Sequence, residues 1–316
     1  MVPLIALLGI CAALVVEAYP AFRVNGWGFF VHSGWNIGNA YGGVVVTDGV
    51  RHPAGISYGA FPLIVGTLES SALALAIAVP VGVLGSLAIV KLLPEAISKA
   101  VGFFLELLAG VPSVVFGLWG ALTLGPALAH TVYPFLANHL PNVAIVDFFK
   151  GPVGAGEGLF TSSVVLAAMV VPIVASTSRE LLASVPRLTE EGGLALGMSR
   201  WEVSRSISLR WVRQGLIGAA MLGLARALGE TMAVAMISGV NLASLAANAY
   251  SAFTTIAATI VSQLDSAFID TTGFAVRSFA EAACVLVAIT LLANIGARLL
   301  VRRVASGTAL PVGRGI

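Results

Sequence analysis

Six stretches of this chain are apolar for long enough to cross a lipid bilayer, and no other feature limits its fold so tightly. A helix crossing the hydrocarbon core needs about 20 mostly apolar residues. Residues 2–21, 61–90, 100–129, 159–176, 216–240 and 274–301 each meet that requirement to within a few residues. Inside a bilayer every backbone polar group must be satisfied within the protein, so such runs become helices. Of the 316 residues only 10% are charged and 58% are hydrophobic, whereas a soluble domain carries about 25% charged residues. A water-soluble enzyme and a disordered chain are both excluded. The sequence predicts an all-α integral membrane protein with six transmembrane helices. The first run lacks a basic leader region and is interrupted by Glu17, so it reads as a retained span, not a removed signal peptide.

Arginine and lysine set the orientation. With the N-terminus inside, Lys91, Lys99, Arg179, Arg187, Arg200, Arg205, Arg210, Arg213, Arg298, Arg302, Arg303 and Arg314 are cytoplasmic. Only Arg23, Arg51, Lys150 and Arg277 are then external, and Arg226 lies inside a span. Twelve against four puts both termini in the cytoplasm. The chain divides into the first span with its external segment (1–60), a five-helix core (61–302) and a cytoplasmic tail (303–316). The external segment 22–60 is rich in glycine and aromatics, among them Trp27, Trp35 and Tyr41, and suggests an ordered cap or an aromatic belt near the membrane surface. Stretches 130–158 and 241–272 are mildly polar and suit short interfacial helices. The cytoplasmic stretch 179–214 is dense in both charge signs and has helical periodicity, with an N-cap candidate at Thr189 ahead of Glu190 and Glu191.

Chemistry is conspicuous by its absence from the motifs. A P-loop needs a lysine directly after glycine to cradle phosphates, and none of Lys91, Lys99 and Lys150 follows one. The four histidines, His32, His52, His130 and His139, form no zinc-protease pattern and are expected in solvated external loops. Cys11 and Cys284 lie in apolar runs and form no disulfide framework. The chain is expected to hold no metal or cofactor and to catalyse nothing itself, so uphill work would draw on a partner or an ion gradient.

The charged loop carries the clearest pattern. Glu191, Gly197, Ile207 and Leu209 fall at the spacings Glu-Ala-Ala, three residues, Gly, nine residues, Ile-x-Leu-Pro. That pattern resembles the coupling loop of ABC importer permeases. Gly192 and Gly193 stand where alanines are usual, and Arg210 where proline is; each glycine lowers helix propensity by up to about 1 kcal/mol. Trp201 offers an apolar anchor on an otherwise polar loop. The expected contacts to a partner ATPase are Glu190, Glu191, Gly197, Arg200, Trp201 and Glu202.

Within the fifth run stand Arg226 and Glu230, four residues apart and so on one helix face. A central arginine costs about 2.5–3.5 kcal/mol on insertion scales and tends to face a bundle interior or a water-filled path. Arg226 there would attract an oxyanion through paired hydrogen bonds, with Glu230 holding it in place. A buried structural ion pair that locks helix packing is the alternative. Glu69, Glu106 and Glu281 are further carboxylates within spans, and Arg277 with Glu281 suits an interfacial pair. Pro112 interrupts the third run, and Ser113 after it is a lesser pathway candidate beside Thr67.

Three further stretches sharpen the resemblance: Phe61-Pro-Leu-Ile-Val-Gly-Thr67-Leu, Ala109-Gly-Val-Pro112-Ser113-Val-Val-Phe-Gly117 and Leu224-Ala-Arg226-Ala-Leu-Gly-Glu230-Thr-Met-Ala. With them nearly the whole chain after residue 60 is similar to the permease subunits of phosphate-specific ABC transporters. The resemblance implies a type I ABC importer permease fold in a bacterial inner membrane. It also implies a homologous second permease subunit, two copies of an ATP-binding subunit that carry ATP and magnesium, and an extracytoplasmic phosphate-binding protein. In that family the residues matching Arg226 and Glu230 are linked to phosphate passage. The chain begins almost directly in a span, which is short for the family, and a basic leader is expected ahead of it. A permease for molybdate or sulfate would share the fold and the loop. A gradient-driven transporter would need no ATPase, and the loop spacing would then be accidental.

Overall fold

The computed structural model describes residues 2–38, 43–139 and 147–306. Among the described residues five stretches are long and apolar enough to cross a membrane: Ile5–Asn25, Phe61–Lys91, Ser113–His139, Leu159–Ala183 and Phe274–Leu299. They match five of the six expected spans. Pro20, Pro80 and Pro172 sit inside three of these helices, as membrane helices allow.

The fifth expected span, 216–240, is not one helix. Arg213–Leu228 ends, residues 229–231 break the ladder, and a short helix resumes over Met232–Ile237. Gly229 has low helix propensity, and the Glu230 carboxylate accepts the Ala233 N–H at 3.5 Å, stabilising a fresh start in place of continuation. At 1.5 Å per residue the first piece is about 24 Å long, short of a full crossing. A second expected helix, 100–129, also divides. Glu95–Ala109 stops at Gly110, and a new helix begins at Ser113 after Pro112, whose ring and missing N–H forbid continuity. Pro112 therefore sets the start of a span instead of kinking its middle.

The residues cluster into two compact units. The first takes Met1–Ser71, Ser113–Leu166 and Leu228–Thr290; the second takes Ala72–Pro112, Ala167–Ala227 and the chain from Leu291.

In the first unit segment 22–60 forms a small β-structure that the all-α expectation did not contain. Strand β1 (Ser33–Asn36) pairs antiparallel with β4 (Ser57–Ala60), and between them β2 (Val44–Thr47) pairs with β3 (Val50–Pro53). The β2–β3 turn is Asp48-Gly49, both at positive φ, the tight hairpin turn that Asp-Gly favours. Residues 39–42, including Tyr41, lie outside the described residues. Phe29, Trp35, Tyr58, Phe274 and Phe279 form a buried aromatic cluster beneath the strands, which holds the segment in an ordered fold. His52 is buried here, held by Thr47 Oγ1 and the Pro53 carbonyl. The solvated loop expected for it is thus corrected: strand alternation turns it inward. Arg277 and Glu281 do not pair with each other. Arg277 reaches Glu17 at 3.5 Å, and the fully buried Glu281 accepts a hydrogen bond from Asn25 at 2.7 Å.

Stretches 130–158 and 241–272 carry helices at Val132–His139, which ends the Ser113–His139 stretch, and at Ile256–Ala267; residues 140–146 lie outside the described residues. Their backbones are knitted together, with Leu159 N–H to Ser251 O and Phe160 N–H to Ala249 O at 3.2 and 2.7 Å. These bonds satisfy backbone groups of irregular chain that would be costly to leave unpaired when buried.

In the second unit the end of the Phe61–Lys91 helix meets the end of Leu159–Ala183 through Leu87, Leu182, Val185 and Val212, with Val90 and Leu209 beside them. Arg179 crosses Gly102 to pair with Glu106 at 2.9 Å. This unit also holds the charged loop, the Glu95–Ala109 helix and most of Arg213–Leu228. Of the expected tail, residues 307–316 fall outside the described residues.

Candidate functional site

The charged loop is an ordered wedge of two short helices. The first, Arg187–Ala195, begins after Pro186, so Thr189 lies inside the first turn and is not the N-cap. Proline's fixed φ and missing N–H suit a helix start. Gly197 ends this helix at φ +82°, a left-handed conformation that costs other residues 1–2 kcal/mol. The second helix starts with a capping box at Ser199: its hydroxyl accepts the Glu202 N–H, and Glu202 Oε2 accepts the Ser199 N–H at 2.7 Å. The Ser-x-x-Glu spacing that signals this was present in the sequence. Ser204 and Ser206 return hydroxyl bonds to the carbonyls four residues back. This competition with the backbone coincides with a π-helical turn over Ser204–Ser208.

Gly193, one of the departures from the alanine pattern, has a packing reason. A Cβ there would lie 2.6 Å from Ile207 Cδ1 and 3.1 Å from Val203 Cγ2, so the missing side chain lets the two helices close. Gly192 faces open space, and its departure has no such explanation.

The two adjacent glutamates have different surroundings. Glu190 turns into the protein, accepting Lys91 Nζ at 2.5 Å and Ser208 Oγ at 2.7 Å. Burial alone would raise its carboxyl, but those hydrogen bonds and the Lys91 charge outweigh it and hold the group below the usual range. Glu191 is exposed, with Arg200 and Glu202. Leu188, Leu196 and Trp201 are exposed by 82, 86 and 58%, three large apolar side chains on an otherwise polar loop. A cavity of about 390 Å³ opens at Trp201, Arg205 and Arg210.

Among the pathway candidates, Thr67 is buried and its hydroxyl is used twice: it donates to Leu63 O at 2.7 Å and accepts the Ile256 N–H at 3.0 Å. It ties the start of the Ile256–Ala267 helix to the Phe61–Lys91 helix. Ser113 is half-buried at the head of its helix. Arg226 is exposed, two residues before the helix ends, and Glu230 is buried within the break. The helix that carries Arg226 ends at Leu228, so the two residues do not stand on one unbroken helix. Lys91 and Ser208 were missed by sequence reasoning: no local spacing links positions so far apart.

Residues 79–306 match the family of binding-protein-dependent transport system inner membrane components. The phosphate transport system permease protein PstC 1 of Mycobacterium tuberculosis is 57% identical over 316 residues, covering 100% of this chain and 93% of that protein. PstC of Haemophilus influenzae is 36% identical over 74% of each chain. Among solved structures, a chain of the inward-facing MetNI methionine ABC transporter superposes with a TM-score of 0.51 at 19% identity, covering 78% of this chain and 94% of that one. That likeness shows the permease fold.

Proposed function

Because this chain belongs to the binding-protein-dependent transport permeases, and within them to the PstC phosphate permeases, we propose that it forms half of a phosphate path through the bacterial inner membrane. The chemistry is transport, not catalysis. A separate ATPase supplies the energy and a phosphate-binding protein outside the membrane delivers the cargo. In the finer reading the other half of the path is a homologous permease subunit. Two ATPase copies hold ATP and magnesium, and both termini of this chain are cytoplasmic, as the arginine and lysine bias supports.

The observation that carries the pathway reading is Arg226, an exposed guanidinium on an apolar helix directly before a break. An arginine tolerates such a setting when it faces a polar path or a partner. Its fork of donors matches a phosphate oxyanion, and the buried Glu230 carboxylate nearby in sequence limits the positive field so that phosphate is passed on. Ser113 and Thr67 stand as lesser members, Thr67 through packing.

On the other face, Glu191, Arg200 and Glu202 with Leu188, Leu196 and Trp201 form the surface on which the ATPase docks. Gly197 sets the turn that presents them. ATP-driven closure of the ATPase pulls this loop and opens the path outward; hydrolysis resets it inward.

The test is labelled-phosphate uptake by cells carrying Arg226→Gln. We expect uptake lost or greatly reduced with the protein still in the membrane, and partial uptake for Arg226→Lys. Normal uptake by Arg226→Gln would remove the pathway role.

A further inference from the structure

A coupling loop can transmit work only if it is fastened to the spans it must move. In the second unit one polar node makes that fastening. A single oxygen, Glu190 Oε1, accepts from Lys91 Nζ at 2.5 Å and from Ser208 Oγ at 2.7 Å. Three elements meet there: Lys91 is the last residue of the Phe61–Lys91 helix, Glu190 lies in the first turn of Arg187–Ala195, and Ser208 closes the π-helical turn. Lys91 and Glu190 side chains are only 22 and 19% exposed, and Ser208 is fully buried. Shielded charge-assisted bonds of this kind are stronger than neutral ones and are screened less by salt than exposed pairs.

An apolar cluster also attaches the loop among the described residues, through Leu87, Val90, Val212 and Leu209. Apolar packing is non-directional, so it permits sliding where an ion pair fixes register. Inside the wedge, Gly193 closes on Ile207 and Val203, which makes the two loop helices one rigid piece. The node therefore sits where that piece meets a membrane span, not on the exposed docking rim.

We propose that Glu190, bridging Lys91 and Ser208, is a positioning residue that locks the loop to the end of the second span, so that a load on the loop moves the span. The inference rests on reading the loop as the coupling element. Glu190 then acts within the chain, while Glu191 beside it faces the ATPase. Without the lock the loop slides on its apolar bed, and ATP is hydrolysed without matching transport.

The experiment uses the complete transporter in proteoliposomes, with phosphate transported per ATP hydrolysed as the readout and ATPase retention measured on the same sample. Lys91→Met and Ser208→Ala should retain the ATPase and hydrolyse ATP, while transport per ATP falls. For Lys91→Met the fall should be about fivefold or more, the lower end of the 5–150-fold range of measured coupling energies. Lys91→Arg should retain coupling, and the exchange Lys91→Glu with Glu190→Lys should recover most of it. An unchanged ratio in Lys91→Met would overturn the lock, as would an exchange variant no better than the single changes. Loss of the ATPase from Lys91→Met would place the node in the docking surface and also overturn it. If the unaltered chain retains no ATPase, the coupling reading itself fails, and the lock with it.

Discussion

Replacing Thr67 by valine separates packing from passage. Its hydroxyl accepts the buried Ile256 N–H at 3.0 Å, and Thr255 Oγ1 accepts the Ala258 N–H at 3.2 Å, so two threonines cap the start of the Ile256–Ala267 helix. Valine keeps the shape and removes the acceptor, leaving the Ile256 N–H unsatisfied. The lost donation to Leu63 O matters less, since that carbonyl lies inside a helix with its own backbone donor. A buried donor without a partner costs about 1–3 kcal/mol. At 1.4 kcal/mol per factor of ten, protection of the Ile256–Thr259 amides against hydrogen exchange should fall by about 5- to 150-fold. Thr67→Ser, which keeps the hydroxyl, should retain most of it. Protection unchanged in Thr67→Val would refute the capping role. Normal protection combined with lost phosphate uptake would instead show that the hydroxyl serves the cargo directly.

Nearby, Gly66→Ala drives a Cβ into the Thr254 carbonyl oxygen; overpacking of that kind costs about 1–3 kcal/mol and should lower the unfolding midpoint in detergent, and an unchanged midpoint would show that this close approach is absent. Ser199→Ala removes the capping box and should cost about 0.5–2 kcal/mol locally, seen as faster exchange at Glu202 and Val203 with unchanged exchange in the Phe61–Lys91 helix. The lock at Glu190 has a definite pH sign: its folded carboxyl lies below the usual value because the Lys91 and Ser208 bonds outweigh burial. Its stabilisation is thus present above the unfolded carboxylate pKa and lost as pH falls through the lower folded one. Protease resistance of the 187–208 loop should hold through neutral and mildly acidic pH, and early loss there would contradict the lock.

Much of this molecule is legible in its sequence, for physical reasons that also mark the limits. Apolar run length is enough to find five spans, because a bilayer admits few alternatives to a helix. It misreads 216–240 since hydropathy does not register the break at residues 229–231, where a carboxylate competes for backbone N–H groups. The wedge is legible from Glu191, Gly197, Ile207 and Leu209 because a left-handed turn and an apolar return face need particular residues. The Lys91–Glu190 and Asn25–Glu281 bonds join residues 99 and 256 positions apart, and no local periodicity carries such pairs. The β-hairpins escaped notice because four-residue strands in a Gly-rich segment give a weak alternation signal. Even so, Asp48-Gly49 between Val44–Thr47 and Val50–Pro53 is the hairpin turn that a closer reading would have found.

Phosphate is the cargo this chain carries through the membrane. The most direct test is labelled-phosphate uptake by phosphate-starved cells lacking their own permease and complemented with this chain, in excess unlabelled sulfate. Uptake should be restored, and sulfate should not reduce it. No restoration, with the protein in the membrane and its partner subunits intact, would contradict the phosphate assignment.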